Sequence, residues 1–523
     1  MFDYLLRNGT VVDGSGTPGV AADVGVTGDR IAAVGRLAGA KAQQVIDATG
    51  LVVCPGFIDA HVHGDLPLLV DPVHEQAIRQ GVTTYIVGQD GVAFAPGSPK
   101  TQSYMRRYTA GFNGNFPTPG KEWKSVDQYL SLFDRNCSLN VATLIPNGNV
   151  RMEVMGLDPR PATMEEWKIM RDWIREGMEQ GAVGLSSGLD YIPSIYADGR
   201  ELMELCMAIA PYEGIYVTHM RGYTPANAPA ALKEVFAIGR GAGCGVHVSH
   251  FNCLAGQTIP ILDEAIASGI DLTFDLYCYI YGSTIVAMLC LPPEMGQGGI
   301  DATLNRLRDP GVRLELLEAF ANPRFPLETI RLASCPHPDF QRYEGMLLTE
   351  AVGPSGPTCG LDRMVEFVCD LLIATDLAAG CVIRHFAERQ ESDILKLMRH
   401  PAMTAGSDGV FVGGKPHPRG TGCFARYLGH HVRSGHWTLE EAVAKCSAKT
   451  ADRFGLKHRG YVKEGFFADL AVFDPAKIED RSTFLDGAAL AVGMKHVFVN
   501  GEAVLLDGER TIARPGRGLR HNR

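Results

Sequence analysis

Along the first fifty residues, apolar and polar positions alternate in short stretches broken by glycine-rich turns. That period-two pattern predicts strands at Tyr4–Arg7, Thr10–Val12, Ala22–Thr27, Arg30–Val34 and Gln44–Asp47. The last seventy residues repeat it at Ala468–Phe473, Val492–Val499, Gly501–Val504 and Glu509–Ile512, with Asn500-Gly501 as a hairpin turn. Two β-rich ends around a different middle predict one small β-domain, a sandwich, built from residues 1–55 and 456–523.

The middle, residues 56–455, changes period. Short apolar runs at Phe57–His63, Thr83–Gly88, Asn140–Ile145, Ala182–Ser187, Ile215–His219, Gly245–His250, Asp271–Tyr277 and Met403–Asp408 read as buried strands. Helical periodicity lies between them at Met164–Gln180, Arg200–Ala210, Pro229–Ala242 and Thr438–Phe454. Eight strand–helix units predict an α/β fold, a (β/α)8 TIM barrel, whose chemistry sits at the C-terminal ends of the strands. The stretch between the seventh and eighth strands, about 284–400, is too long for a loop. It is rich in proline and glycine over Leu291–Gly299 and then partly helical, so it reads as an insertion over the site.

Composition narrows the classes. Of 523 residues 46% are hydrophobic, enough for a large core, and the formal charge of −10 argues against nucleic acid as a partner. No run of about 18 uncharged apolar residues reads as a membrane span, and Met1-Phe2-Asp3-Tyr4 does not begin a secretion signal. Thirteen cysteines without CxxC spacing read as free thiols in a reducing compartment, so the expected location is cytoplasmic.

The candidate chemistry lies at the strand ends. His61 and His63, one residue apart, share a face of the first strand and can reach one point in space. The second strand ends at Asp90, the fifth at His219, the sixth at His250 and the eighth at Asp408. Six nitrogen and oxygen donors on one rim are what a metal site requires.

These segments resemble the amidohydrolase superfamily, and within it the N-acyl-D-amino-acid deacylase branch. The likeness is carried by Pro55-Gly56-Phe57-Ile58-Asp59-Ala60-His61-Val62-His63, Gly181 to Leu189 with its Ser-Ser-Gly-Leu end, and Thr218-His219-Met220-Arg221. It continues through Val248-Ser249-His250, Asp275-Leu276-Tyr277, Gly406-Ser407-Asp408-Gly409, Pro416-His417-Pro418-Arg419 and Gly465 to Leu470. The resemblance implies metal-assisted hydrolysis of an amide in a small-molecule N-acyl substrate. Asp90, His219 and His250 would hold a metal, and His61 and His63 a second ion or the orientation of Asp408. Asp408 would accept the water proton and return it to the departing amine. Tyr191, Ser283 and Arg419, in matching segments, would meet the substrate carboxylate.

The chain departs from the branch at three places. The family's metal-binding cysteine after the second strand is replaced by Asp90 in Gly88-Gln89-Asp90-Gly91. A carboxylate is a harder donor than a thiolate, so one or two ions of Zn2+ are expected, with Mn2+ or Co2+ also accommodated. Asn252 stands where the family often has a substrate-binding lysine, which points away from acidic D-amino acids. The segment after the third strand is Pro146-Asn147-Gly148 rather than Gly-His-Gly. Two other readings are a cyclic-amide hydrolase of the hydantoinase or dihydroorotase kind and a non-catalytic scaffold. The first is disfavoured because the fourth strand has no lysine to be carboxylated, the second because the ligand set is otherwise intact. A homo-oligomer is compatible with the sequence.

Overall fold

The protein is described by a computed structural model over residues 1–116, 122–353 and 360–521. Eight strand positions follow one another in parallel pairing: Phe57–Asp59, Val82–Val87, Asn140–Thr143 continued by Ile145–Pro146, Gly184–Gly188, Ile215–His219, Gly245–Val248, Leu272–Leu276 and Met403–Ala405. The eighth closes on the first. Ala60 N–H donates to the Ala405 carbonyl at 3.1 Å, Asp408 N–H to that of His61 at 2.8 Å, and His63 N–H to that of Gly409 at 3.0 Å. The first strand therefore pairs with the second only as far as Asp59, and His61 and His63 lie on its extension against the eighth.

The helices outside the barrel follow from local chemistry. Met164–Glu179 begins at a reciprocal cap between Thr163 and Glu166 and buries Trp167, Met170, Ile174 and Met178 on one stripe. The expected helix over Thr438–Phe454 is two, Leu439–Cys446 and Ala448–Arg453, broken at Ser447. The buried Ser447 hydroxyl donates back to the Val443 carbonyl at 2.6 Å, which competes with continuing the helix. Arg200–Ala210 is likewise shortened to Gly199–Cys206, followed by a tighter turn at Ala210–Tyr212.

Strands from both chain ends hydrogen-bond into one nine-stranded sheet. Phe2–Val11 runs as one strand where two were expected. Asn8, at φ 62°, lies where the register shifts between Leu6 and Gly9, and pairing resumes beyond it. Val52–Pro55 joins Leu470–Phe473 antiparallel and thereby ties the two ends together just before the first barrel strand. Asn500 and Gly501 both take positive φ, as a two-residue hairpin of this hand demands.

Between the seventh and eighth barrel strands, Gly282–Ile285, Arg331–Ser334 and Gly380–Ile383 form a small antiparallel sheet. Helices Ile300–Arg308, Pro310–Ala321 and Leu361–Ala374 pack with it around a separate core that includes Leu307, Phe320, Val368 and Cys381. Part of the expected insertion, 354–359, lies outside the described residues. No helix among the described residues is long and apolar enough to cross a membrane. The twelve described cysteines carry no disulfide.

Candidate metal centre

The barrel mouth brings the strand-end residues together. His61 Nε2 lies 3.7 Å from Asp90 Oδ2 and 3.7 Å from Asp408 Oδ1. His63 Nε2 lies 3.5 Å and 3.3 Å from the same two oxygens, and His250 Nε2 lies 3.7 Å from Asp90 Oδ1. Two groups of three donors result, His61–Asp90–His250 and His61–His63–Asp408, all buried and sharing His61. His219 reaches the same mouth, its ring 4.6 Å from that of His250, but its Nε2 faces Asp190 Oδ2 at 3.5 Å and it belongs to neither group.

Backbone geometry explains how these side chains are aimed. Asp90, His250 and Asp408 all sit at positive φ, 57°, 33° and 50°, a region that costs a non-glycine residue energy. The turn at Asp90 is held by the fourth strand: Ser186 donates its hydroxyl to the Gly88 carbonyl at 2.5 Å and accepts from Gly91 N–H at 3.1 Å. Gly188 lets that turn approach, since a Cβ there would stand 2.1 Å from the Asp90 carbonyl oxygen. The Ser-Ser-Gly-Leu segment thus builds the seat of Asp90.

Charge is balanced below the rim. Asp275 receives His250 N–H at 2.8 Å, lies 3.1 Å from His247 Nε2 and 3.5 Å from His61 Nδ1. Burial raises its carboxyl, but His61 and His247 together outweigh burial and hold it below the usual range. Burial likewise works against Asp408, and the Arg419 guanidinium, 2.9 Å away, prevails and keeps it ionised. Asp59 ties the first strand to the eighth by accepting from Ser407 N–H and hydroxyl at 2.8 and 2.5 Å.

A cavity of about 320 Å3 opens above this cluster. Barrel residues His63, Asp90, Tyr191, His219 and Asp408 form its floor and wall, and Met288, Leu289, Arg324, Phe325 and His385 of the inserted segment face it from the other side. Tyr191 and Asn252 line it, the Asn252 amide donating to Tyr277 Oη at 2.6 Å. Ser283 also lines it, with its hydroxyl on the Cys381 carbonyl at 3.0 Å. Arg419 does not. Its guanidinium is buried between Asp408 and the Tyr277 ring, 4.5 Å from the ring centre, with Nη2 on the Ser283 carbonyl at 3.3 Å. Arg419, expected to meet the substrate carboxylate, is here paired with Asp408. Sequence reasoning passed over Asp275, Asp190 and His247. Asp275 could have been found, because it too lies in the last turn of a barrel strand; Asp190 and His247 carried no such signal.

The donor set fits a divalent cation. Both ring nitrogens of His61, Asp90 Oδ1 and His219 Nδ1 are buried without a hydrogen-bond partner among the described residues. Each such group costs about 1–3 kcal/mol if left so. Imidazole and carboxylate donors converging on one point relieve that cost by binding a metal.

Comparison with known proteins gives the family. The model of the amidohydrolase family matches residues 44–505. The chain is 34% identical to a D-aminoacylase of Alcaligenes xylosoxydans xylosoxydans over 99% of its own length and 97% of the relative's. A solved D-aminoacylase with a binuclear metal centre, activated by one metal and attenuated by the second, superposes with a TM-score of 0.82 at 32% identity, covering 99% of this chain and 100% of that one. The N-acyl-D-glutamate deacylase of Bordetella bronchiseptica, complexed with zinc and a phosphonate mimic of the tetrahedral intermediate, gives the same TM-score and identity over 99% of both chains.

Proposed function

The chain belongs to the amidohydrolase family, and from that premise we propose that it is a metal-dependent hydrolase of N-acyl-D-amino acids, releasing a carboxylate and a D-amino acid. The observation that carries this reading is the convergence of His61, His63, Asp90, His250 and Asp408 beneath a cavity of small-molecule size. Asp90 and His250, which His219 would join by turning from Asp190, would hold one ion and His61, His63 and Asp408 the other, one or two ions in all, zinc foremost. A bound divalent ion supplies Lewis acidity and lowers the pKa of water from 15.7 toward about 7.

The chain's own residues then have separable tasks. Asp408, kept ionised by Arg419, accepts the proton of the attacking water and returns it to the departing nitrogen, so nothing is lost or gained at the carboxylate over a cycle. Asp275 orients the His61 and His247 rings from behind, a positioning role. The inserted segment walls the far side of the cavity.

The cavity wall favours a neutral side chain on the substrate. Phe112, Tyr191, Met288, Leu289 and Phe325 contribute apolar surface, and Asn252 offers no charge. Arg221 is committed to Glu234 at 3.1 Å and to two backbone carbonyls. Arg324 lines the cavity without an ion-pair partner among the described residues, and together with Tyr191 and Ser283 it is the reading's partner for the α-carboxylate.

The test is release of free amine from matched N-acetyl-D- and N-acetyl-L-amino acids by metal-loaded protein. Chelator-sensitive release from the D series, faster for leucine or phenylalanine than for glutamate, is expected. Metal-loaded protein that releases amine from neither series would remove the reading.

A further inference from the structure

A second cluster of metal-ligating side chains stands outside the catalytic cavity. The helix Arg419–Arg426, which begins at the arginine paired with Asp408, continues into a π-helical turn at Tyr427–His431. Wide turns of this kind often mark functional positions. The chain then folds back on itself: Ser434 N–H donates to the His430 carbonyl and His436 N–H to that of His431, each at 2.9 Å. Gly435, at φ 69°, allows the reversal. His430, His431 and His436 are brought together by these bonds.

The three rings present nitrogens that lie within 4.8 Å of one another. His431 Nδ1 is 3.2 Å from His436 Nδ1. Two imidazole nitrogens bound to one tetrahedral zinc stand about 3.3 Å apart, given bonds of about 2.0–2.1 Å. The ring centres of His430 and His431 are 4.9 Å apart and those of His431 and His436 are 5.4 Å apart. His431 is almost wholly buried, and its other nitrogen, Nε2, has no hydrogen-bond partner among the described residues.

The surroundings suit a borderline-soft ion. Arg426, whose charge acts on the rings, is itself paired with Asp480 at 3.3 Å. Three imidazoles without a carboxylate among them favour Zn2+, Cu2+ or Ni2+ over Mg2+, Ca2+ or Mn2+. His430 and His436 are partly exposed, so an ion can enter from solvent and complete its coordination with water.

We infer that His430, His431 and His436 form a zinc-type metal site, separate from the catalytic centre, that clasps the turn between the π-helical segment and the helix beginning at Leu439. It is a structural clasp: the ion joins two chain segments five residues apart and lies at the opposite end of the 419–426 helix from Arg419.

Equilibrium dialysis of the full chain against micromolar free Zn2+, with bound zinc counted by mass spectrometry, tests this. His436→Gln and His430→Gln, each checked for native circular dichroism, should each bind one equivalent less than wild type. The rise in Tm that zinc gives the wild type should shrink in both, with kcat on the N-acyl-D-amino acid unchanged. Equal zinc equivalents in wild type and in whichever of the two variants folds would overturn the site. The zinc count is read without turnover, so failure of the proposed hydrolase activity would leave this result distinct.

Discussion

Gly188→Ala puts the seat of Asp90 under direct test. The new methyl carbon would stand 2.1 Å from the Asp90 carbonyl oxygen, 2.8 Å from its carbonyl carbon and 2.4 Å from Cδ2 of Tyr191. The first two are backbone atoms, so the clash is not relieved by rotating a side chain. Restoring van der Waals contact requires the Asp90 turn to retreat by about 1 Å, a displacement of the size that costs catalytic geometries about 100-fold in rate. That loss corresponds to ~2.7 kcal/mol in the activation barrier. Overpacking of this kind also costs about 1–3 kcal/mol of folding stability, which leaves a domain of this size folded. Steady-state kinetics on the best N-acetyl-D-amino acid, with metal content and circular dichroism measured on the same samples, should give a kcat down by about two decades in a folded protein with weakened metal binding. A folded Gly188→Ala protein with full metal content and kcat within a few-fold of wild type would refute the argument that the fourth strand positions Asp90.

Asp408→Asn should lower kcat by about 10²–10⁴ while the protein still binds metal through Asp90, His219 and His250, which kinetics and metal analysis together can establish. Glu201→Gln should destabilise the fold by about 3–5 kcal/mol, read by denaturant unfolding, because it leaves Arg151 buried without its counter-charge. Lys445 gives the pH prediction: burial, aided by Lys449, brings its ammonium from 10.5 down to about 7. Between those values the unfolded chain binds more protons than the folded one, so stability should rise with pH from about 7 toward 10. Tm measured across that range should climb in wild type relative to Lys445→Met, and parallel curves would show that the ammonium is not desolvated as described.

The sequence alone determined the barrel and most of its rim. Short apolar runs alternating with amphipathic helical stretches admit few other folds. Donor residues at the end of one run after another are visible without coordinates, because a strand's end is a local property. Asp275 was equally visible by that rule and was passed over. Tertiary structure alone decided which donors share a point, since His219 turns to Asp190 while His63 turns to Asp408 through contacts between distant strands. It also decided that Arg419 pairs with Asp408. A guanidinium's partner depends on which carboxylate the eighth strand and the following helix carry to within 2.9 Å, and residue type does not encode that distance. The histidines at 430, 431 and 436 illustrate the same division. Their spacing is ordinary for a polar turn, and only the backbone reversal at Gly435 brings the rings of His431 and His436 to within 5.4 Å of each other.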